Sequence, residues 1–193
     1  SDVSGNTNVE LKGEGVHVYS VVGGGLVDED EGAANVGKNT NITISGGAWA
    51  GDTEVSSSQP DKIAVAGGGH ILSNDPSMIG TNSDIKTATT NVGGEVHITL
   101  NGITGNLVDC IVGGCYDAGK SNAEKITGTT GPVKIDIDNC RFESQFHRIF
   151  GGGYVAWGGN NRDIQVKGNV EITVDHSTVQ YLYGGGCGIT AAL

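Results

Sequence analysis

The stretch Ile149-Phe150-Gly151-Gly152-Gly153-Tyr154 decides the fold, because its pattern recurs along the chain. Two or three apolar residues followed by a glycine triplet occur five times, at 21–26, 65–70, 111–116, 149–154 and 182–187. Only the third copy interrupts the triplet, with Cys115. The first glycines of successive copies are 33 to 46 residues apart. Similarity at such a period is typical of repeat proteins in which each unit packs on its neighbours.

The glycine triplets are predicted to be structural turns. Glycine permits a positive φ and a close approach of one backbone to another, and we expect both uses at these turns. The predicted turn residues are Gly23, Gly24, Gly25, Gly67, Gly68, Gly69, Gly113, Gly114, Gly151, Gly152, Gly153, Gly184, Gly185 and Gly186.

A second recurring element alternates apolar and polar residues. It occurs at 8–11, 41–44, 96–100, 133–137 and 170–174. A period of two indicates a β-strand with one buried face. If the units stack, this element forms one parallel sheet and the residues before each glycine triplet form a second. In each sheet, equivalent apolar residues would then stack on one another in a column, which we call a ladder. The ladder of the first sheet would consist of Ile42, Ile98, Ile135 and Ile172, and that of the second of Val21, Val65, Ile111, Ile149 and Leu182.

The rest of each unit is predicted to be loop. Segments 26–38, 70–92, 116–132 and 155–168 are polar and rich in small residues, and 48–61 is predicted as an insertion between the two strands of the second unit. No composition change marks a domain boundary, so residues 1–193 are expected to form a single β-solenoid domain. Because the last residues follow a glycine triplet, the chain is expected to be a fragment of a longer repeat protein.

Composition narrows the functional classes. Glycine accounts for 34 of 193 residues and the net charge is −11. An acidic chain is a poor partner for nucleic acid or for an anionic membrane surface, and no apolar run is long enough to cross a membrane. The four cysteines Cys110, Cys115, Cys140 and Cys187 include no CxxC pair, which argues against a zinc site. They are expected to be free thiols, although a Cys110–Cys140 bridge stays open as an alternative.

The repeated unit, as in Val170-Glu171-Ile172-Thr173-Val174 followed by Tyr181-Leu182-Tyr183-Gly184-Gly185-Gly186, resembles right-handed parallel β-helix proteins. More narrowly, it is similar to the glycine-triplet repeats of bacterial cell-surface, adhesin-like proteins. The resemblance implies an all-β parallel β-helix of about five coils. It also implies an extracellular, cell-surface, non-catalytic module. The implied partners are a host glycan or protein ligand, or neighbouring repeats of the same protein. No cofactor and no catalytic residue carries over.

An alternative function rests on carboxylates. Asp136 and Asp138 are two residues apart on one strand, so both point to its outer face, and Asp175 would stack on Asp138 one unit later. Polysaccharide lyases on β-helices hold Ca²⁺ with such carboxylates and use Lys or Arg as the base, an analogy at the level of the fold. The alternative is therefore a carbohydrate-active enzyme, a lyase or glycosidase, with Ca²⁺ as a possible cofactor. A solvated polar strand face explains the same residues without any site.

Aromatic side chains suggest where a ligand would bind. Tyr116 and Tyr154 follow the glycine turns at equivalent positions, and Trp157 lies close to the second in sequence. Exposed aromatic rings stack on sugar rings or on protein partners, so these three are the candidate ligand-binding residues. The interpretation that we prefer is that these rings pack against neighbouring loops.

One stretch matches a nucleotide-binding motif. Residues 114–121 match the phosphate-loop pattern GxxxxGK[ST], with Lys120 and Ser121 at its end. That motif has to open a helix, but a run of Thr and Gly and then Pro132 follow within a few residues. Since Gly114 already belongs to a repeated turn, we interpret the match as chance in a glycine-rich chain.

Overall fold

The protein is all-β with parallel sheets. The computed structural model describes residues 1–27, 31–50, 63–71, 87–105, 110–117, 125–142, 148–155 and 161–188. Every regular element within these ranges is a β-strand. In these ranges no helix is long and apolar enough to cross a membrane.

Four larger sheets and two strand pairs contain the strands of the described ranges. Sheet A consists of β1 (Thr7–Lys12), β6 (Thr40–Ser45), β11 (Val96–Asn101), β16 (Val133–Asp138) and β21 (Val170–Asp175). Sheet B consists of β3 (Val21–Val22), β8 (Ile63–Ala66), β13 (Cys110–Val112), β18 (Arg148–Phe150) and β22 (Tyr181–Tyr183). Sheet C consists of β4 (Leu26–Val27), β9 (His70–Ile71), β14 (Tyr116–Asp117), β19 (Tyr154–Val155) and β23 (Cys187–Gly188).

The remaining strands form sheet D and two short pairs. Sheet D consists of β5 (Glu31–Ala33), β10 (Thr87–Asn91), β15 (Lys125–Thr130) and β20 (Arg162–Val166). The pairs are β2 (His17–Val18) with β7 (Trp49–Ala50), and β12 (Thr104–Gly105) with β17 (Arg141–Phe142). Within the described residues, the chain therefore visits sheets A, B, C and D in the same order in the first four repeats and sheets A, B and C in the fifth. Each strand of these four sheets pairs in parallel with its equivalents in the adjacent repeats.

The register of sheets A and B confirms both predicted ladders. In sheet A, Ile42 pairs with Ile98, Ile98 with Ile135, and Ile135 with Ile172. In sheet B, Val21 pairs with Val65, and the ladder continues through Ile111 and Ile149 to Leu182. Ile42, Ile98 and Ile135 are at most 1% exposed. Each fully buried isoleucine contributes about 2 kcal/mol through removal of apolar surface from water, so this ladder is a main source of stability.

Sheets C and D correct the prediction that 26–38, 70–92, 116–132 and 155–168 are loops. Each of these segments contains one short strand of sheet C and one strand of sheet D. The strands of sheet D were missed because threonine makes them look polar, as in Thr87-Ala88-Thr89-Thr90-Asn91. Alternate residues of this strand are buried, and threonine is β-branched and suits a half-buried strand. Of the predicted insertion 48–61, Trp49 and Ala50 form β7, and 51–62 lie outside the described residues.

The glycine triplets are required for close approach and not for a positive φ. No triplet glycine is among the residues with positive φ. A Cβ on Gly24 would instead lie 2.6 Å from the nitrogen of Gly69, and one on Gly114 would lie 2.8 Å from the nitrogen of Gly153. These are backbone atoms of the next repeat, so they cannot move aside cheaply. The triplets allow neighbouring turns to touch, as expected, but the expectation of left-handed backbone there was wrong.

Left-handed backbone occurs instead at the corner after each strand of sheet A. The residues that follow these five strands are Gly13, Gly46, Gly102, Asn139 and His176, and all have φ between 44° and 100°. Gly, Asn and His tolerate this region better than most residues. The corner turns the chain away from sheet A, and it places the side chain of His176 beside the end of β21.

Candidate functional site

The three carboxylates of the alternative hypothesis lie on the outward side of sheet A. Asp138 and Asp175 are register partners on β16 and β21, as the period predicted, whereas Asp136 pairs with Thr173. The carboxylate of Asp136 lies 3.5 Å from the ammonium group of Lys134 on the same strand. Asp136 therefore has a lysine neighbour on its own strand, whereas Asp138 and Asp175 are the two carboxylates that the register stacks on each other.

His176 joins this pair and was missed by sequence reasoning. Its Nδ1 lies 3.2 Å from Oδ1 of Asp175 and 3.4 Å from Oδ1 of Asp138. One ligand atom from each of the three residues lies within 4.8 Å of the others. The sequence feature that could have identified His176 is its position. It follows the last strand of sheet A at the left-handed corner where the first three repeats have glycine.

The three side chains of this cluster are solvated at the protein surface. The side chains of Asp138, Asp175 and His176 are 50%, 65% and 76% exposed. Ca²⁺ takes six to eight oxygen ligands, and this cluster offers two carboxylates and an imidazole that is not an oxygen ligand. Exposed pairs of this kind contribute little energy because water screens them. The cluster can attract a cation weakly, but it does not enclose one.

Tyr116 and Tyr154 are interior residues, which agrees with the packing interpretation and corrects their candidate role as exposed ligand-binding residues. They are 4% and 1% exposed, and their ring centroids lie 5.6 Å apart across adjacent strands of sheet C. His70 and Phe150 pack against them with centroid distances of 4.7 and 5.2 Å. A sugar cannot reach a ring face in this column without opening the fold. Trp157, the third candidate, lies outside the described residues.

His70 is the member of this column whose pKa burial clearly shifts. Burial lowers its pKa from 6.5 to about 4. Within the described residues its Nε2 is buried and has no hydrogen-bond partner. The ring is therefore neutral near pH 7 and packs as part of the aromatic core.

A different aromatic group is exposed. We name the side chains of His17, Tyr19 and Trp49 the aromatic platform. The rings of His17 and Trp49 stack with centroids 3.5 Å apart and planes 18° apart, because β2 and β7 pair in register. Tyr19 leans on His17 at 5.5 Å and is 72% exposed. The platform combines residues of two adjacent repeats that are far apart in sequence. The local sequence around each residue therefore does not predict it.

A buried ion pair links sheets C and D. Nη1 of Arg162 donates to both carboxylate oxygens of Asp117, at 2.7 and 2.8 Å. The side chains of Asp117 and Arg162 are 0% and 5% exposed. Register partners of Asp117 are Ile71 and Val155, so the pair occupies a layer that is apolar in the adjacent repeats. Because both side chains are buried, we interpret the pair as a structural feature of the fold and not as part of a binding site.

Two backbone N–H groups of the phosphate-loop match are already used in the part of it that the structure describes. The N–H of Gly114 donates to the carbonyl of Gly152 at 2.9 Å, and that of Tyr116 donates to the carbonyl of Gly69 at 2.8 Å. These groups hold adjacent repeats together and cannot also bind a phosphate. Lys120 and Ser121 lie outside the described residues.

None of the four cysteines forms a disulfide, so the Cys110–Cys140 bridge is absent. Cys110, Cys115 and Cys140 are buried, whereas Cys187 is partly exposed. Burial raises the pKa of the Cys115 and Cys140 thiols. A raised pKa lowers the thiolate fraction, so these two residues are chemically inert in the folded protein.

Comparison of the chain with protein-family models, with curated proteins and with solved structures found no match.

Proposed function

We propose that the chain is a right-handed parallel β-helix of about five coils that serves as a non-catalytic structural and adhesive module on the outside of a cell. The observation that carries this proposal is the common strand order and register of sheets A to D. Strands stacked about 4.8 Å apart build a stiff rod in which each repeat contacts its neighbours. The right hand follows from the family resemblance and from the rule for parallel crossovers. The extracellular, bacterial cell-surface location rests on that resemblance.

The aromatic platform supports glycan binding as the adhesive activity. Tyr19 is 72% exposed, and its ring contacts His17, which in turn stacks on Trp49. Sugar rings pack their apolar faces on such rings, and the hydroxyl of Tyr19 adds a polar contact at the edge. The net charge of −11 disfavours acidic polymers, so the glycan that fits best is neutral.

A glycan array tests this activity directly. The full chain is expected to bind neutral glycans, Tyr19→Ala to lose binding, and Tyr19→Phe to keep most of it because the ring remains. If the alanine variant binds as well as the parent, the platform is not the binding surface. If the parent binds no glycan at all, glycan adhesion is not its function.

The enzyme alternative is retained because Asp138, Asp175 and His176 bring three ligating atoms within 4.8 Å of one another. In this alternative the chain is a polysaccharide lyase or glycosidase, with Ca²⁺ as the possible cofactor. Incubation with acidic polysaccharides, with and without Ca²⁺, followed by detection of unsaturated or reducing ends, separates the two functions. New ends that disappear in the variant Asp138→Asn/Asp175→Asn would overturn the non-catalytic proposal.

A further inference from the structure

His70 combines a buried ring nitrogen with a place among packed aromatic rings. We name the rings of His70, Tyr116, Tyr154 and Phe150 the aromatic column. His70 as a whole is half-buried, but its Nε2 is buried and has no hydrogen-bond partner within the described residues. Its ring packs on that of Tyr116, with the centroids 4.7 Å apart and the planes tilted by 48°. A buried nitrogen without a partner suits the neutral imidazole and becomes costly once the ring is charged.

No charge of the described residues compensates a proton on this ring. The adjacent strand β4 contributes only the apolar Leu26–Val27, and the adjacent strand β14 contributes a tyrosine and Asp117. The carboxylate of Asp117 lies 2.7 Å from the guanidinium of Arg162, and Asp117 is the register partner of Ile71 and not of His70. Successive side chains of a strand point to opposite faces, so this carboxylate lies on the other side of sheet C.

The backbone that carries the ring is fixed on both sides. A Cβ on Gly69 would lie 2.3 Å from the Cβ of Thr90, so this glycine already touches sheet D. Ile71 is 0% exposed and packs in the apolar cluster between sheets C and D. The N–H of His70 donates to the carbonyl of Gly25 at 2.9 Å. Rotation of the His70 side chain between its rotamers breaks none of these contacts, so a charged ring reaches water by rotation and not by displacement of β9.

We propose that His70 is an acid-sensitive switch: on protonation its ring turns out of the aromatic column into solvent and uncovers the ring of Tyr116, while the backbone of sheet C stays in place. In the neutral protein Tyr116 is 4% exposed, so its ring is hidden. In acid, the side of sheet C that faces away from sheet D gains an exposed aromatic ring. This goes beyond the proposed function, because it concerns sheet C and not the aromatic platform.

The direction and size of the response follow from the two protonation equilibria. A solvated imidazole has a pKa of 6.5, and burial lowers the pKa of packed His70 to about 4. As the pH falls, protons bind to the turned-out ring first. The ratio of turned-out to packed ring therefore rises by about 300-fold between neutral pH and pH 4. The turned-out ring, disfavoured at neutral pH, becomes the main form below that midpoint.

An NMR titration of the full chain from neutral pH into acid tests the proposal. The ring of His70 is expected to titrate near 4, and the nuclear Overhauser contact between its ring and that of Tyr116 is expected to disappear with the same midpoint. The amide signals of β9 are expected to persist, because the backbone does not move. In hydroxyl-radical footprinting over the same range, oxidation of Tyr116 is expected to increase several-fold below the midpoint, whereas Tyr19, which is already 72% exposed, is expected to react at an unchanged rate.

Two variants identify the residue responsible. His70→Phe keeps an aromatic ring on Tyr116 and cannot be protonated, so Tyr116 is expected to stay protected in acid. His97→Gln is the matched control, because the side chain of His97 is 43% exposed on sheet A, and this variant is expected to respond as the parent does.

Four results overturn the proposal. In the parent alone, they are a His70 midpoint at 6.5, a contact with Tyr116 that persists in the protonated state, and a loss of the amide signals of sheet A together with those of β9. The fourth is an equal response of Tyr116 to acid in His70→Phe. The first three need no variant, so the proposal stays testable even if His70→Phe does not fold.

Discussion

The buried pair Asp117–Arg162 allows a sharp test of how the interior tolerates charge. The perturbation is a set of three variants: Asp117→Asn, which leaves the arginine charged, Arg162→Ile, which leaves the carboxylate charged, and the double variant Asp117→Val/Arg162→Ile. The apolar replacements are chosen from the fold itself, because Val155 is a register partner of Asp117 and Ile126 is the register partner of Arg162. The double variant therefore extends the apolar layer that these register partners already form.

The expected magnitudes follow from the geometry. At a separation of 2.8 Å and an effective dielectric constant of about 20, the attraction is about 6 kcal/mol. Removing each ion from water costs several kcal/mol, so the pair nearly cancels its own desolvation. Either single variant is expected to destabilise by about 3–5 kcal/mol, because it removes this ion pair while one buried charge remains. The double variant is expected to lie within about 1 kcal/mol of the parent or to be more stable.

Urea unfolding, followed by circular dichroism, measures these differences in the free energy of unfolding. The shift of the urea midpoint gives each difference when the dependence of the free energy on urea concentration is unchanged. A cost below about 1 kcal/mol for Asp117→Asn would show that the pair is solvated in solution, contrary to its burial. A double variant less stable than both single variants would show that the ions contribute more than their desolvation costs, and the reasoning would fail.

Three further predictions concern the turn, the buried histidine and the thiols. Gly114→Ala is expected to destabilise by about 1–3 kcal/mol in urea unfolding, because its Cβ would lie 2.8 Å from backbone of the next repeat, and an unchanged midpoint would contradict this packing. Because burial lowers the pKa of His70 from 6.5 to about 4, the unfolded chain binds more protons between these values, so stability falls as pH decreases through that window, by about 3 kcal/mol in total. The variant His70→Leu is expected to lack this loss of stability at low pH. If the stability of the variant and of the parent changed with pH in the same way, the prediction would be wrong. Iodoacetamide followed by mass spectrometry is expected to label Cys187 in the native protein and the three buried thiols only after unfolding. Rapid native labelling of Cys115 would contradict its burial.

Sequence reasoning predicted the parts of the fold that repeat in both spacing and residue type. The ladders through Ile98 and Ile111 followed from alternation and from the glycine triplets, and the register confirms them. The stacking of Asp175 on Asp138 followed from the same period. Sheet D was missed, because Thr89 and Thr90 suggest a loop by polarity although their β-branched side chains suit a strand.

The candidate sites were less predictable, since they depend on contacts between repeats. Tyr154 follows a glycine turn, and nothing in its immediate sequence distinguishes an exposed ring from one that packs on the strand above. His17 and Trp49 are 32 residues apart and stack only because β2 and β7 pair. His176 became part of a carboxylate cluster because it occupies a left-handed corner beside two stacked strands.

The sequence by itself determined the alternation that buries one side of each strand and the spacing that brings the glycine turns together, because both are local patterns repeated along the chain. Only the tertiary structure decided why those glycines are needed, which aromatic rings reach solvent and where a charged pair could be buried. Each of these properties is set by the atoms of the adjacent repeat, which lie dozens of residues away in sequence, so no local pattern records them.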